Sequence, residues 1–173
     1  MNKDRLSTLP DIMQILQHAT RSMTEPMSFT LVQTYGRNPF FILISCLLSL
    51  RAKDAVTLPI CLELFKQYKN PQAFIDLPTS DLERMIYKIG FYRKKAAVLK
   101  QVCAELISRF NSQVPGTQQE LLSLPGVGIK TANLVLGEGF SIPAICVDIH
   151  VHRIANRLGL VQTKTPEETE RQL

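Results

Sequence analysis

Leu121-Leu122-Ser123-Leu124-Pro125-Gly126-Val127-Gly128-Ile129-Lys130-Thr131-Ala132-Asn133 is the stretch from which the rest of the chain can be read. It predicts two short helices joined by a Gly-x-Gly turn. Glycine there allows positive φ and removes the Cβ atoms that would hold another backbone away. The amides of Val127 to Ile129 would open the second helix, where unpaired N–H groups and the helix dipole favour a phosphate. The turn alone leaves two readings open, an ordinary helix connection and a phosphate cradle built on Gly126, Val127 and Gly128.

Working outward, helix signals recur and strand signals are nearly missing, so the expected fold class is all-α. Leu9 to Met23 is an amphipathic segment with Ile12, Ile15, Leu16 and Ala19 along one side. Pro26 to Pro39 reads as a linker with a short extended piece. Phe40 to Leu50 is apolar on nearly every face and predicts a central buried helix. A helix with Pro59 in its first turn follows. Short helices are expected near Pro71–Leu77 and Ser80–Ile89, then a long one from Arg93 to Asn111 with Ala97, Val98, Gln101, Val102, Leu106 and Phe110 on its inner side.

The chain of 173 residues carries 20 Lys and Arg against 15 Asp and Glu, with 45% hydrophobic residues, a composition that excludes a disordered chain. Three of the acids lie after residue 164 with one base, so the preceding chain is the more basic part and suits a polyanion. The longest apolar run, Pro39 to Leu50, is too short to cross a bilayer, and the start, Met1 to Leu6, does not read as a secretory signal. Cys46, Cys61, Cys103 and Cys146 are 15, 42 and 43 residues apart. That spacing fits buried reduced thiols rather than a disulfide framework or a zinc site.

Chemistry gathers around Lys130. On the second hairpin helix Ala132, Val135, Leu136 and Gly139 make the core stripe, with Lys130 opposite, beside Asn133, Leu134 and Gly137. A lysine is poorly placed in the first turn of a helix, because its charge opposes the dipole. The same field favours a free amine, the nucleophilic form. Helix 129–138 rises about 15 Å, and the seven residues 141–147 can extend about 23 Å. The chain can therefore return Asp148, 18 positions after Lys130, to the lysine. Asp148 is also the expected N-cap of a helix from Ile149 to Leu158. On that helix Val151, Ile154, Ala155 and Leu158 are expected to face inward, and His150, Arg153 and Arg157 to line a basic side.

Leu124-Pro125-Gly126-Val127-Gly128-x-Lys130-Thr131-Ala132-Asn133, followed by Val147-Asp148-x-His150-Val151-x-Arg153 and Arg157-Leu158-Gly159-Leu160, closely resembles the endonuclease III family of helix-hairpin-helix DNA glycosylases. The resemblance implies a six-helix bundle carrying the hairpin at 118–138, over residues 39–140. It also implies a second helical domain, incomplete here, from residues 1–38 and 141–173, with DNA across the cleft. The implied function is base excision repair, as a bifunctional glycosylase and abasic-site lyase for oxidised pyrimidines. Lys130 would attack C1′ of a flipped nucleotide and form a Schiff base that permits β-elimination. Asp148 would assist base departure. The alternatives are a non-catalytic DNA-binding fragment and a relative with mismatch specificity. The implied partner is double-stranded DNA with a damaged or abasic nucleotide, bound by a monomer that uses no membrane. The compartment would be the nucleoid in a prokaryote, the nucleus or mitochondrion in a eukaryote.

Two departures stand out. Where the family has a glutamine that fills the gap left by the flipped base, this chain has Arg51, and the wedge position is Phe91. Both can fill a vacated stack. Beside them Lys88, Arg93, Lys94, Lys95 and Lys100 form a basic run with no acid between 88 and 104, expected to contact phosphates, as are His150 and Arg153. Relatives continue further and bear four closely spaced cysteines for a [4Fe–4S] cluster. With no cysteine after Cys146 and an end in an apparent helix at Leu173, the expectation is a truncated chain that binds no cluster.

Overall fold

The computed structural model describes residues 9–173, so residues 1–8 of the expected second domain lie outside the described residues. The described chain is all-helical and divides into two compact units. One runs from Pro26 to Ala144; the other combines the described residues up to Glu25 with Ile145–Leu173. The larger unit thus begins well before residue 39, because the segment read as a linker is helix α2 (Met27–Tyr35), following α1 (Leu9–Ala19). Met27 and Leu31, one turn apart, are buried. The β-branched and aromatic residues between them suggest extended chain, and packing overrides that local preference.

Helix α3 (Pro39–Ser49) is the centre of this unit. Asn38 caps it, its Oδ1 accepting the amides of Phe40 at 3.0 Å and Phe41 at 3.2 Å, and Pro39 occupies the first turn. Phe40 through Leu48 are all buried. Each large apolar side chain hidden this way contributes about 1.5–3 kcal/mol. Around α3 pack α2, α4 (Asp54–Gln67), α7 (Tyr92–Phe110) and the second hairpin helix. Phe41 stacks on Phe65 with ring centroids 4.3 Å apart, and Tyr35 meets Phe41 edge-on. Pro59 lies inside α4, not in its first turn, which Asp54 opens. Its missing amide donor falls on an exposed face, where water can serve the freed carbonyl.

Helices α5 (Pro71–Asp76) and α6 (Thr79–Met85) both pack on α7. The inner side of α7 is Ala96, Leu99, Val102, Cys103 and Leu106; Ala97 and Gln101, expected inside, are exposed. Left-handed residues bound α7 at both ends, Phe91 (φ 60°) and Asn111 (φ 51°).

The other unit contains α1 and two later helices described below. No residue of α1 is buried, and Met13, Ile15 and Leu16 are 57%, 67% and 45% exposed. The expected apolar stripe is present and largely exposed among the described residues. A helix of this length without packing is marginal. Hydrogen exchange should therefore find the amides of Leu9–Ala19 at least a hundredfold less protected than those of Ile42–Leu48. Equal protection would show that α1 is held by packing.

Candidate active site and nucleic-acid interface

The hairpin starts with α8 (Gln118–Leu122), capped by Thr117: the Glu120 amide donates to Thr117 Oγ1 at 3.3 Å, and that hydroxyl donates to Glu120 Oε2 at 2.6 Å. At the turn Gly126 has φ 75°. A Cβ built there would meet Val98 Cγ1 at 3.1 Å and Leu47 Cδ2 at 3.5 Å, so the turn sits tightly on α7 and α3. Gly128 is different. Its φ of −104° suits any residue and nothing lies within 4 Å of its Cβ position, which leaves open space for another molecule's backbone. The Val127 amide, expected to face a phosphate, instead donates to Leu124 O at 3.2 Å, and its side chain is buried. The first bond of the next helix runs from Ala132 N to Gly128 O at 2.9 Å, so its leading amides begin with those of Gly128 and Ile129, after Val127.

That helix, α9 (Ile129–Leu134), continues as a π-helical turn, Val135–Gly139. Ala132, Val135, Leu136 and Gly139 are buried as expected. Asn133, expected beside Lys130 on the outer side, is buried too, and its Oδ1 accepts Gln118 Nε2 at 2.7 Å. This link ties the two hairpin helices together. Arg37 Nη1 donates to the carbonyls of Gly137 and Glu138 at 3.1 and 3.2 Å, closing the C-terminal end. There Gly139 lies against Pro39, whose Cα would be 2.9 Å from an added Cβ. Lys130 is exposed in the first turn of α9, where no side chain caps the helix. Its stem rises from a row of buried residues, Thr131 to Asn133.

Asp148 belongs to the other unit, where it caps α10 (Ile149–Arg157). The amides of His150 and Val151 donate to its Oδ1 at 2.9 and 3.0 Å. His150 and Arg153 share an exposed face, with Arg153 Nη2 3.4 Å from His150 Nδ1. Ala155 is the inward residue, whereas Ile154, expected inside, is 49% exposed. His152 points elsewhere, its Nδ1 2.7 Å from Thr169 Oγ1 of α11 (Pro166–Gln172), in a polar cluster with Asn156 and Thr163. Spacing alone could not show that cluster.

The basic run divides. Lys95 is not a surface cation waiting for phosphate: its Nζ donates to Leu48 O at 2.6 Å and Leu50 O at 2.7 Å. Burial pushes its ammonium below the ordinary lysine range. Lys100 likewise caps the end of α5 through the carbonyls of Ile75 and Leu77. Lys88 lies over the Tyr87 ring, and Arg93 lies over Tyr92 with a long 3.9 Å contact to Glu83. Lys94 is exposed and engages no carboxylate or carbonyl among the described residues. Arg51 and Phe91 are both exposed, Phe91 by 62%, and both adopt left-handed backbone, with φ of 55° and 60°.

A model of the HhH-GPD superfamily of base excision DNA repair proteins matches residues 44–173. Endonuclease III of Thermotoga maritima is 44% identical over 156 residues, covering 87% of this chain and 73% of that protein. This chain belongs to the endonuclease III family. The Bacillus subtilis endonuclease III is 39% identical over 127 residues, spanning 73% of this chain and 58% of its own length. Among solved structures, a trapped endonuclease III–DNA covalent intermediate superimposes with a TM-score of 0.82 at 36% identity, covering 100% of this chain and 77% of that one. A thermostable thymine-DNA glycosylase matches with a TM-score of 0.67 at 28% identity, over 75% of this chain and 64% of that one.

Cys46, Cys61 and Cys103 are buried in the core, and desolvation pushes the thiols of Cys61 and Cys103 up to about 12. Metal ligation needs thiolates, which such burial suppresses. Among the described residues no group of three His, Cys, Asp or Glu could hold a metal ion. The cysteines present do not fit an iron–sulfur cluster. Nor is any helix among the described residues long and apolar enough to cross a membrane.

The split of the basic run is measurable. Lys94→Ala should lower the slope of log K against log[salt] for duplex DNA by roughly one unit, the loss of one phosphate contact. An unchanged slope would return Lys94 to an ordinary solvated side chain.

Proposed function

We propose that this protein is a base excision DNA glycosylase and abasic-site lyase acting on oxidised pyrimidines in duplex DNA, with Lys130 as nucleophile. The observation that carries the reading is the exposed Lys130 in the first turn of α9, beside the open backbone at Gly128. The endonuclease III relative caught as a covalent DNA intermediate supports it.

The chemistry follows from these residues. Orphan amides of Gly128 and Ile129, with Lys94, Arg93, His150 and Arg153, hold the phosphates. Arg51 and Phe91 enter the stack as the damaged nucleotide leaves it. The Lys130 amine forms an N–C1′ bond as the C1′–N bond to the base breaks; the base departs with that electron pair and takes up a proton. Sugar-ring opening then yields an imine at C1′. Removal of a C2′ proton expels the 3′ phosphate with the C3′–O electron pair, so one nucleophile serves base removal and strand nicking. Asp148 supplies negative charge toward the developing oxocarbenium character at C1′ while its Oδ1 holds the start of α10.

Single-turnover assays on a duplex with one oxidised pyrimidine test this. The wild type should release the base and nick the strand, and Lys130→Ala should do neither. Asp148→Asn keeps a capping side chain but removes the charge. It should slow excision by about 10²-fold or more while DNA affinity and melting temperature change little. Binding without base release by the wild type would leave a non-catalytic DNA-binding protein. Equal losses in rate and affinity for Asp148→Asn would reduce that residue to a cap.

A further inference from the structure

Lys95 joins two segments that are far apart in sequence. Its ammonium donates to Leu48 O and Leu50 O at 2.6 and 2.7 Å, at the C-terminal end of α3 and immediately before Arg51. Its backbone amide donates to Phe91 O at 3.0 Å, at the start of α7. That amide bond is the ordinary first-turn bond of α7, so the Lys95 ammonium ties the chain beside Arg51 to the helical turn that Phe91 opens. Both are non-glycine residues in left-handed backbone, which L side chains adopt only when the surroundings impose it. Carbonyls at a helix C-terminus are orphan acceptors, and a cation there also meets the negative end of the dipole. An ammonium with two of its three donors spent on carbonyls has little left for a phosphate.

We propose that Lys95 is a positioning residue that holds the Arg51 loop and the Phe91 turn as one preset pair, ready to enter the DNA stack together. The proposal rests on the reading of Arg51 and Phe91 as the groups that fill the vacated stack. Without the clamp, the carbonyls of Leu48 and Leu50 lose the ammonium that bridges them, and insertion must wait for the Arg51 loop to find its conformation. Lys95 then governs the rate of extrusion, and the affinity for undamaged duplex is set elsewhere.

The test uses the full chain with Lys95→Met, which keeps the apolar stem and removes the donors, and Lys95→Arg, which restores donors. Amide exchange at residues 50–52 is measured without DNA. Fluorescence of 2-aminopurine opposite an abasic-site analogue reports the environment of the orphaned base in the complex. Lys95→Met should speed exchange at residues 50–52 by about tenfold or more, reduce the fluorescence change, and lower single-turnover excision about tenfold, with the salt slope unchanged. Lys95→Arg should recover most of each. Unchanged exchange in Lys95→Met would overturn the clamp, and so would a salt slope lowered by one unit, which would make Lys95 a phosphate contact. Should Lys95→Met not fold, Lys95→Gln carries the same comparison. A wild-type protein that neither excises nor perturbs 2-aminopurine would refute the glycosylase reading itself; exchange without DNA separately decides whether Lys95 holds the loop.

Discussion

The hairpin can lie along α3 only because two of its residues present no side chain to that unit. A Cβ at Gly139 would come within 2.9 Å of Pro39 Cα, and one at Gly126 within 3.1 Å of Val98 and 3.5 Å of Leu47. Those contacts lie at opposite ends of the turn and second helix that carry Lys130. Between them α9 and its π-helical extension bury Ala132, Val135 and Leu136 against the core. Close approach of backbone to a buried helix thus fixes where an exposed amine stands. The catalytic role proposed for Lys130 needs that rigidity, since a misplacement of about 1 Å can cost about a hundredfold in rate.

Around this contact, three cations serve the fold. Lys95 closes the end of α3, Lys100 the end of α5, and Arg37 the end of the π-helical turn. Each donates to main-chain carbonyls, the arrangement that a helix C-terminus invites, and Arg37 adds a long 3.9 Å contact to Glu138 Oε2. The cations proposed to meet DNA are a smaller set, Lys94 with the loosely held Arg93 in one unit and His150 with Arg153 in the other. Net charge overstates an electrostatic footprint when cations are consumed this way.

That distinction marks what was legible in the sequence. The buried α3, the Gly-x-Gly hairpin, the inner stripe of α9 and the capping role of Asp148 all follow from local pattern, because each depends on neighbours within a few residues. Helix α2 was hidden, since its β-branched and aromatic residues mimic extended chain until Met27 and Leu31 find the core. The inner side of α7 is rotated from its expected position because several apolar residues compete for it, and only packing selects Leu99 and Cys103 over Ala97. The Gln118–Asn133 link and the Lys95 clamp join positions 15 and 45–47 residues apart, beyond any local rule.

The proposed chemistry comes down to which nitrogen bonds to the sugar. Incubation of the wild-type chain with a duplex containing one abasic site, reduction with borohydride, proteolysis and mass spectrometry would locate that bond. Lys130 is expected to carry the reduced deoxyribose–phosphate remnant, with the other lysines and the chain's α-amine unmodified. An adduct on another amine, or none under conditions where the strand is nicked, would contradict the role given to Lys130.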